Sequence, residues 1–244
     1  MNLPHYNKLD RLNRLIIFTR YPELGKNKTR LIPALKDAML LNKARANATN
    51  IHRCLVEHTL VQCRQWCTQQ SVEIISETID KTIDKNINEI TVCFTGDNSQ
   101  LMAAWLGTDL DYQPQGAGDL GQRIILALQH LQKLDIAKQN NFVIIGTDCP
   151  DLNSSHLDRA FQGLESNDLV LGQAEDGGYY LIGFKQIIPQ LFQGISWGTA
   201  TVFAETIAIA NKLDLRINYL PVLRDIDRPE DLDYLTTLAG FESI

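Results

Sequence analysis

LIIFTRYPELGKNKTRLIP, Leu15 to Pro33, begins as an apolar run and turns into a loop with two prolines, a glycine and four cations, Arg20, Lys26, Lys28 and Arg30. A β-like run that ends at Phe18 and passes through a basic, glycine-containing loop toward a helix is the entry of an open α/β sheet. Ligands bind at the carboxyl edge of such sheets, where backbone N–H groups and cationic side chains converge. With Glu23 as the only acid between Arg20 and Arg30, the loop carries a local net charge of +3 in a chain whose formal charge is −6. A small anionic ligand, a phosphate above all, fits that asymmetry. The G-x-x-x-x-G-K-[ST] spacing of a Walker A loop is absent. A solvated basic turn is the plainer alternative.

Working outward, ITVCF (90–94), FVIIG (142–146) and DLVLG (168–172) repeat the short apolar pattern, with helical periodicity between most of them. Strands separated by helices predict an α/β three-layer sandwich with a mostly parallel mixed sheet. Leu41, Ala44, Ala48, Ile51 and Leu55 predict one long helix over 36–66. Leu120, Ile124, Leu128, Leu131 and Leu134 predict a second, and Val202, Phe203, Ile207 and Ala210 a third. DRPEDL opens a fourth, with Pro229 near its first turn. YYLIGF (179–184) and INYLPVL (217–223) read as further strands. The TIDKTIDK duplication within 71–89 reads as a surface extension. No Pro/Gly/Ser linker divides the 244 residues, so one domain over 1–244 is expected.

Lys and Arg total 23 against 29 Asp and Glu, which opposes nonspecific attraction to nucleic acid or an anionic membrane. The N-terminal MNLPHYNKLDRLNR has no apolar signal region, and no uncharged apolar run approaches the ~18 to 20 residues needed to span a bilayer. A cytoplasmic protein without membrane insertion is expected, and a homo-oligomer is compatible with the sequence. Five cysteines without framework spacing read as reduced thiols. Cys63 and Cys67, with only His58 nearby in sequence, make a poor zinc set.

IIGTDCPDL, Ile144 to Leu152, delivers Asp148 to the end of a buried-type strand that Pro150 stops. Such a carboxylate opposite a basic loop suits Mg²⁺ or Mn²⁺ bridging to a diphosphate, because these ions use one or two carboxylates plus substrate oxygens. Asp151 is expected to cap a helix spanning Asn153 to Gly163. Cys149 lacks a paired histidine in the motif, which disfavours a nucleophilic role. GAGDLG (116–121) matches G-x-G-x-x-G but follows DYQPQ rather than an apolar strand, so it loses its dinucleotide meaning. Asp119 reads as an N-cap, and Gly118 and Asp119 are also candidate nucleotide contacts. In EDGGYYLIG (175–183), glycines allow close approach of a sugar and a tyrosine can pack its apolar face; a hairpin turn is the alternative. Asp227 of DIDRPEDL either completes a metal site or caps the next helix. WGT, Trp197 to Thr199, begins a helix and either shapes an acceptor pocket or packs in the core.

TRYPELGKNKTRLIP, FTGDN, GAGDLGQRI, IGTDCPDL, LGQAEDGGYYLIG, WGTATVF and DIDRPEDL, in this order from about Leu15 to Leu232, resemble the bacterial GT-A-like family of provisionally assigned glycosyltransferases linked to arsenosugar biosynthesis. The resemblance implies a nucleotide-diphospho-sugar transferase fold. KTRLIP is also similar to loops of sugar-phosphate nucleotidylyltransferases and of phospholactate guanylyltransferases, which leaves the transferase subclass open. Carried over by residue, the resemblance implies Thr19, Lys28 and Arg30 as nucleotide or phosphate contacts and Asp148 as principal metal ligand. It also implies sugar or acceptor contacts from Asp176 through Gly177 and Gly178 to Tyr179. T-D-C-P-D departs from the usual D-x-D, which favours Asp227 as the second ligand. The expected activity is metal-dependent glycosyl transfer from a nucleotide-diphospho-sugar to a small-molecule acceptor, with Asp176 as candidate general base and Trp197 at the acceptor. The alternatives are a nucleotidylyltransferase that releases pyrophosphate and a noncatalytic nucleotide-binding module.

Overall fold

A computed structural model describes residues 11–38, 40–77, 87–134, 139–238 and 241. The opening apolar run is the centre of strand β1, Arg11–Arg20. It pairs in parallel with β2 (Ile87–Thr95) on one side and β4 (Gln139–Ile145) on the other. Ile17 stands opposite both Val92 and Ile145, so apolar residues of like parity share a face across three strands. β3 (Asp111–Pro114), β5 (Leu169–Ala174), β6 (Tyr179–Phe184) and β7 (Ile217–Leu223) complete a seven-stranded sheet in the order β3-β2-β1-β4-β6-β5-β7. β6 runs antiparallel to both its neighbours, and the other pairings are parallel. The chain leaves β1 toward β2 and β3, then returns to β1's other side as β4. The crevice therefore opens at the carboxyl ends of β1 and β4.

Helices cover both faces, as a sheet of near-continuous apolar strands requires. One face packs Leu15, Ile17, Val92 and Val143 against α2 (Leu41–Glu77), α3 (Ser99–Leu106) and α5 (Ser154–Ser166). There Trp66 stacks on Phe161 at 4.6 Å and 11°. The other face packs Ile16, Cys93, Phe142 and Ile144 against α4 (Leu120–Leu134) and α6 (Val202–Lys212). A third cluster, with Leu31, Ile51, Leu55, Ile226 and Leu235, lies away from the sheet. It joins the segment after the basic loop to the segment after β7, and this contact assembles the site. Among the described residues no helix is long and apolar enough to cross a membrane, and none of the five cysteines forms a disulfide.

Several expectations change. The helix expected over 36–66 is two, α1 (Ile32–Ala38) and the 37-residue α2, because α1 directs Leu35 into the third cluster while α2 runs along the sheet. The TIDKTIDK stretch lies outside the described residues. DYQP, read as strandless, forms β3; it is a short edge strand with mostly polar residues, so it carries no apolar alternation. GAGDLG thus does follow a strand. The WGT turn precedes α6, which starts at Val202 rather than at Trp197. DRPEDL makes a 3-10 turn, Pro229–Asp231, before the short α7, Leu232–Leu235.

The far side of the sheet is locked by one close approach. The Tyr180 ring lies across β5 and donates its hydroxyl to the Pro221 carbonyl of β7 at 3.0 Å. It can do so only because residue 172 is glycine: a Cβ there would sit 2.4 Å from Tyr180 Cζ. Gly172→Ala is expected to cost ~1 to 3 kcal/mol in urea unfolding. In a Tyr180→Ala background the added cost should largely vanish; additive losses within ~0.5 kcal/mol would show that the two positions do not interact.

Candidate functional site

β1 ends with Thr19 and Arg20 and β4 is followed by Gly146, Thr147 and Asp148, which together form one wall of a cavity of about 410 Å³. Lys26 and Lys28 of the basic loop, Thr95 at the end of β2, and Gln115 and Arg123 near the start of α4 also line it. A second cavity of about 260 Å³ is lined by Asp148, Cys149, Asp176, Gly178, Tyr179, Trp197 and Asp225, among others. Leu120, Gly146, Asp148 and Asp227 belong to both, so the two cavities meet at the Asp148–Asp227 pair.

Lys28 is the hinge of this junction. Its backbone is left-handed at φ 47°, a conformation uncommon for a residue with a Cβ. Its side chain is 4% exposed, and its ammonium lies 2.7 Å from Asp148 Oδ1, 4.0 Å from Asp227 Oδ1 and 2.5 Å from the Ile226 carbonyl. Arg30, 63% exposed, binds Asp227 Oδ2 at 2.5 Å and stands outside the lining of both cavities. The basic loop's charge is therefore committed first to holding two carboxylates. Asp227 does not cap a helix. The Asp231 carboxylate does that work, accepting from the backbone N–H groups of Asp227 and Arg228 at 3.0 and 2.7 Å.

Asp151 does not cap α5. Asn153 does, accepting from Ser155 and His156 N–H, because it is the residue immediately outside the first helical turn. Asp151 instead accepts the Tyr234 hydroxyl and so ties α7 to the loop after β4. Asp119 caps α4 as expected: its Oδ1 accepts from Gln122 N–H at 2.8 Å while Gln122 Oε1 accepts from Asp119 N–H at 2.9 Å. Gly118 and Asp119 are both exposed, and the cavity wall is made by Leu120 and Arg123 instead.

EDGG forms the hairpin between β5 and β6, and Asp176 Oδ1 accepts from Gly178 N–H at 2.8 Å. Gly177 has φ +90°, and a Cβ there would meet the Ala200 carbonyl oxygen at 2.2 Å. Its freedom serves contact with the WGT turn, so Gly177 backs the site rather than lining it. Trp197 and Tyr179 meet edge to face at 6.3 Å and 82° in the second cavity. Burial pushes the Tyr179 phenol well above its ordinary pKa, so it is a proton donor at neutral pH. Its hydroxyl and Thr19 Oγ1 are both buried without a hydrogen-bond partner among the described residues, and each belongs to a residue lining one cavity.

Three contributors were not singled out as site residues in the sequence. Burial pushes the Asp225 carboxyl up to about 6, reinforced by the Asp176 charge. His52 has its pKa lowered by burial, so its neutral ring donates Nε2–H to the Arg20 carbonyl at 2.9 Å. Gln115, 4% exposed, donates to the carbonyls of Thr19 and Cys93. DID–RPED spacing was the available signal for Asp225. Nothing local marks His52 or Gln115. Cys149 is buried, and that burial holds its thiol far above the ordinary range, which disfavours the thiolate that a nucleophile needs. Among the described residues no group of three or more His, Cys, Asp or Glu is arranged to hold a metal. Among the described residues, Asp148 and Asp227 converge on the Lys28 ammonium, and two carboxylates so placed fit a cation that takes its other ligands from substrate oxygens.

Residues 78–199 match the bacterial family DUF2064, described as uncharacterized protein conserved in bacteria; the match spans half of the chain, and the protein belongs to this family. No curated protein matches the sequence. Among solved structures, a provisionally assigned nucleotide-diphospho-sugar transferase from Desulfovibrio desulfuricans G20 is 27% identical, over 93% of this chain and 88% of the other, with a TM-score of 0.67. A 4-diphosphocytidyl-2C-methyl-D-erythritol synthase is 11% identical over 92% and 96%, at TM-score 0.50. Rv0371c from Mycobacterium tuberculosis H37Rv, solved with manganese, is 12% identical over 96% and 99%, at 0.50. The fold is that of nucleotide-diphospho-sugar transferases and cytidylyltransferases.

Asp148→Asn should lower the unfolding free energy by about 1 to 2 kcal/mol, less than for a fully buried pair, because Asp148 is half exposed and Lys28 keeps its other acceptors. Combined with Lys28→Met, the loss in urea denaturation should fall short of the sum. Strict additivity would mean that the pair is not coupled.

Proposed function

We propose that the protein is a metal-dependent glycosyltransferase that moves a sugar from a nucleotide-diphospho-sugar to a hydroxyl of a small, uncharged acceptor. The observation that carries this reading is the contrast between the two cavities. The first is lined by Arg20, Lys26, Lys28 and Arg123 and suits a donor's phosphates. The second shares Asp148 and Asp227 with the first and adds Asp176 and Asp225, with no Lys or Arg in its lining. Like charge disfavours a phosphorylated acceptor there, whereas a hydroxyl finds acceptors for its proton and an aromatic wall in Tyr179 and Trp197.

In this reading the donor's diphosphate lies in the first cavity and its anomeric carbon at the junction. Thr19 lines the nucleotide's cavity at the end of β1, and Lys28 places positive charge beside the leaving group. Arg30 orients Asp227. Asp176, held by Gly178 N–H, takes the proton of the attacking hydroxyl. A Mg²⁺ or Mn²⁺ held by Asp148 and Asp227 would supply Lewis-acid stabilisation of the departing diphosphate.

A nucleotidylyltransferase is the second reading, favoured by the four cations of the first cavity, which also suit a triphosphate. The two differ in the bond broken. With Mn²⁺ and a panel of nucleotide sugars, the protein should release nucleoside diphosphate, slowly without acceptor, and Asp148→Asn should lower the rate at least about 100-fold. Release of pyrophosphate from a nucleoside triphosphate, dependent on a phosphorylated acceptor, would overturn glycosyl transfer in favour of the second reading.

A further inference from the structure

The cations around the first cavity divide into two classes. Lys26 pairs with Glu23, Lys28 with Asp148 and Arg30 with Asp227, so each is matched by a carboxylate. Arg20 and Arg123 are held by neutral acceptors alone: Arg20 by Thr95 Oγ1 and the Lys26 carbonyl, Arg123 by Gln115 Oε1 at 3.0 Å and the Asp119 carbonyl at 3.3 Å. Among the described residues no carboxylate pairs with either. In a chain of net charge −6, two guanidiniums facing one cavity without a carboxylate leave positive charge there for a ligand.

Arg123 is the better organised of the two, and the device that organises it is Gln115. Both Gln115 Nε2 protons are committed to main-chain carbonyls, Thr19 at 3.1 Å on β1 and Cys93 at 2.9 Å on β2. Turning the amide over would set its oxygen against two carbonyl oxygens, so the hydrogen bonds themselves fix which atom is Oε1. That oxygen faces Arg123 and takes one of its five N–H donors; the Asp119 carbonyl takes another. Three N–H donors remain for a ligand, two of them on Nη2.

We propose that Arg123 is the principal grip on the diphosphate in the first cavity, and that Gln115 is a positioning residue that anchors this guanidinium to the ends of β1 and β2. The assignment rests on the donor reading given above and moves the main phosphate contact from the basic loop, where the sequence places it, to the first turn of α4. Lys28 and Arg30 then serve chiefly to set the Asp148–Asp227 pair.

Inorganic pyrophosphate, which carries no base or sugar, is the probe. Titration calorimetry on the full chain with Mn²⁺ should show Arg123→Gln binding pyrophosphate roughly tenfold to hundredfold more weakly than the wild type. Arg123→Lys should recover part of the loss, and binding of the four common nucleosides should not change. Gln115→Met, once its melting curve shows a folded protein, should weaken pyrophosphate similarly, and adding Arg123→Gln to it should cost little more. Pyrophosphate affinity of Arg123→Gln within about twofold of the wild type, or an equal loss for nucleosides, would overturn the assignment and leave the glycosyltransferase reading standing. Failure of the wild type to bind pyrophosphate at all would sink both.

Discussion

A buried lysine ammonium between two carboxylates is the contact on which the site depends. Lys28, Asp148 and Asp227 come from three segments far apart in the chain: the β1–β4 pairing brings the first two near each other, whereas Asp227 follows β7 at the far edge of the sheet. A charge that is 4% exposed is tolerated only when paired and hydrogen-bonded, and here a backbone carbonyl supplies the third partner. Behind the ammonium, Leu31 and Ile226 are fully buried in the same small cluster, so apolar packing brings the loops together and the ion pair sets their fine alignment. The left-handed backbone at Lys28 is the local cost of that placement.

From this point the electrostatics run in opposite directions. Toward β2 and α4 the wall becomes cationic; toward the β5–β6 hairpin it becomes acidic. Asp225 registers the second half of this gradient, since burial and the neighbouring Asp176 lift its carboxyl to about 6. A substrate with a charged half and a neutral half would be oriented by the field alone before any hydrogen bond formed.

Much of the fold was legible because its central strands are buried on both faces and therefore read as continuous apolar runs: LIIF, ITVCF, FVIIG and DLVLG all lie within strands or at their ends. β3 escaped because an edge strand of four residues needs no apolar face. Asp148 was legible as a strand-end carboxylate followed shortly by proline, and Asp119 as a cap because it stands immediately before the apolar periodicity that begins at Leu120. The capping of α5 was misassigned between two residues of the same chemistry, Asp151 and Asn153, and only the helix start decides it. Gln115 and His52 carry no sequence signal at all. Each acts by hydrogen bonds to main-chain carbonyls, and those partners are set by the tertiary arrangement of β1, β2 and α2.

The proposed function makes the two cavities one substrate path joined at Asp148 and Asp227. A crystal grown with a nucleoside diphosphate and Mn²⁺, with diffraction recorded at the manganese edge, tests it directly. The expected result is an anomalous peak in contact with both carboxylates, the diphosphate on the Arg123 side of it, and the second cavity open to an acceptor. A peak elsewhere, or a nucleotide whose phosphates lie among the carboxylates of the second cavity, would contradict it.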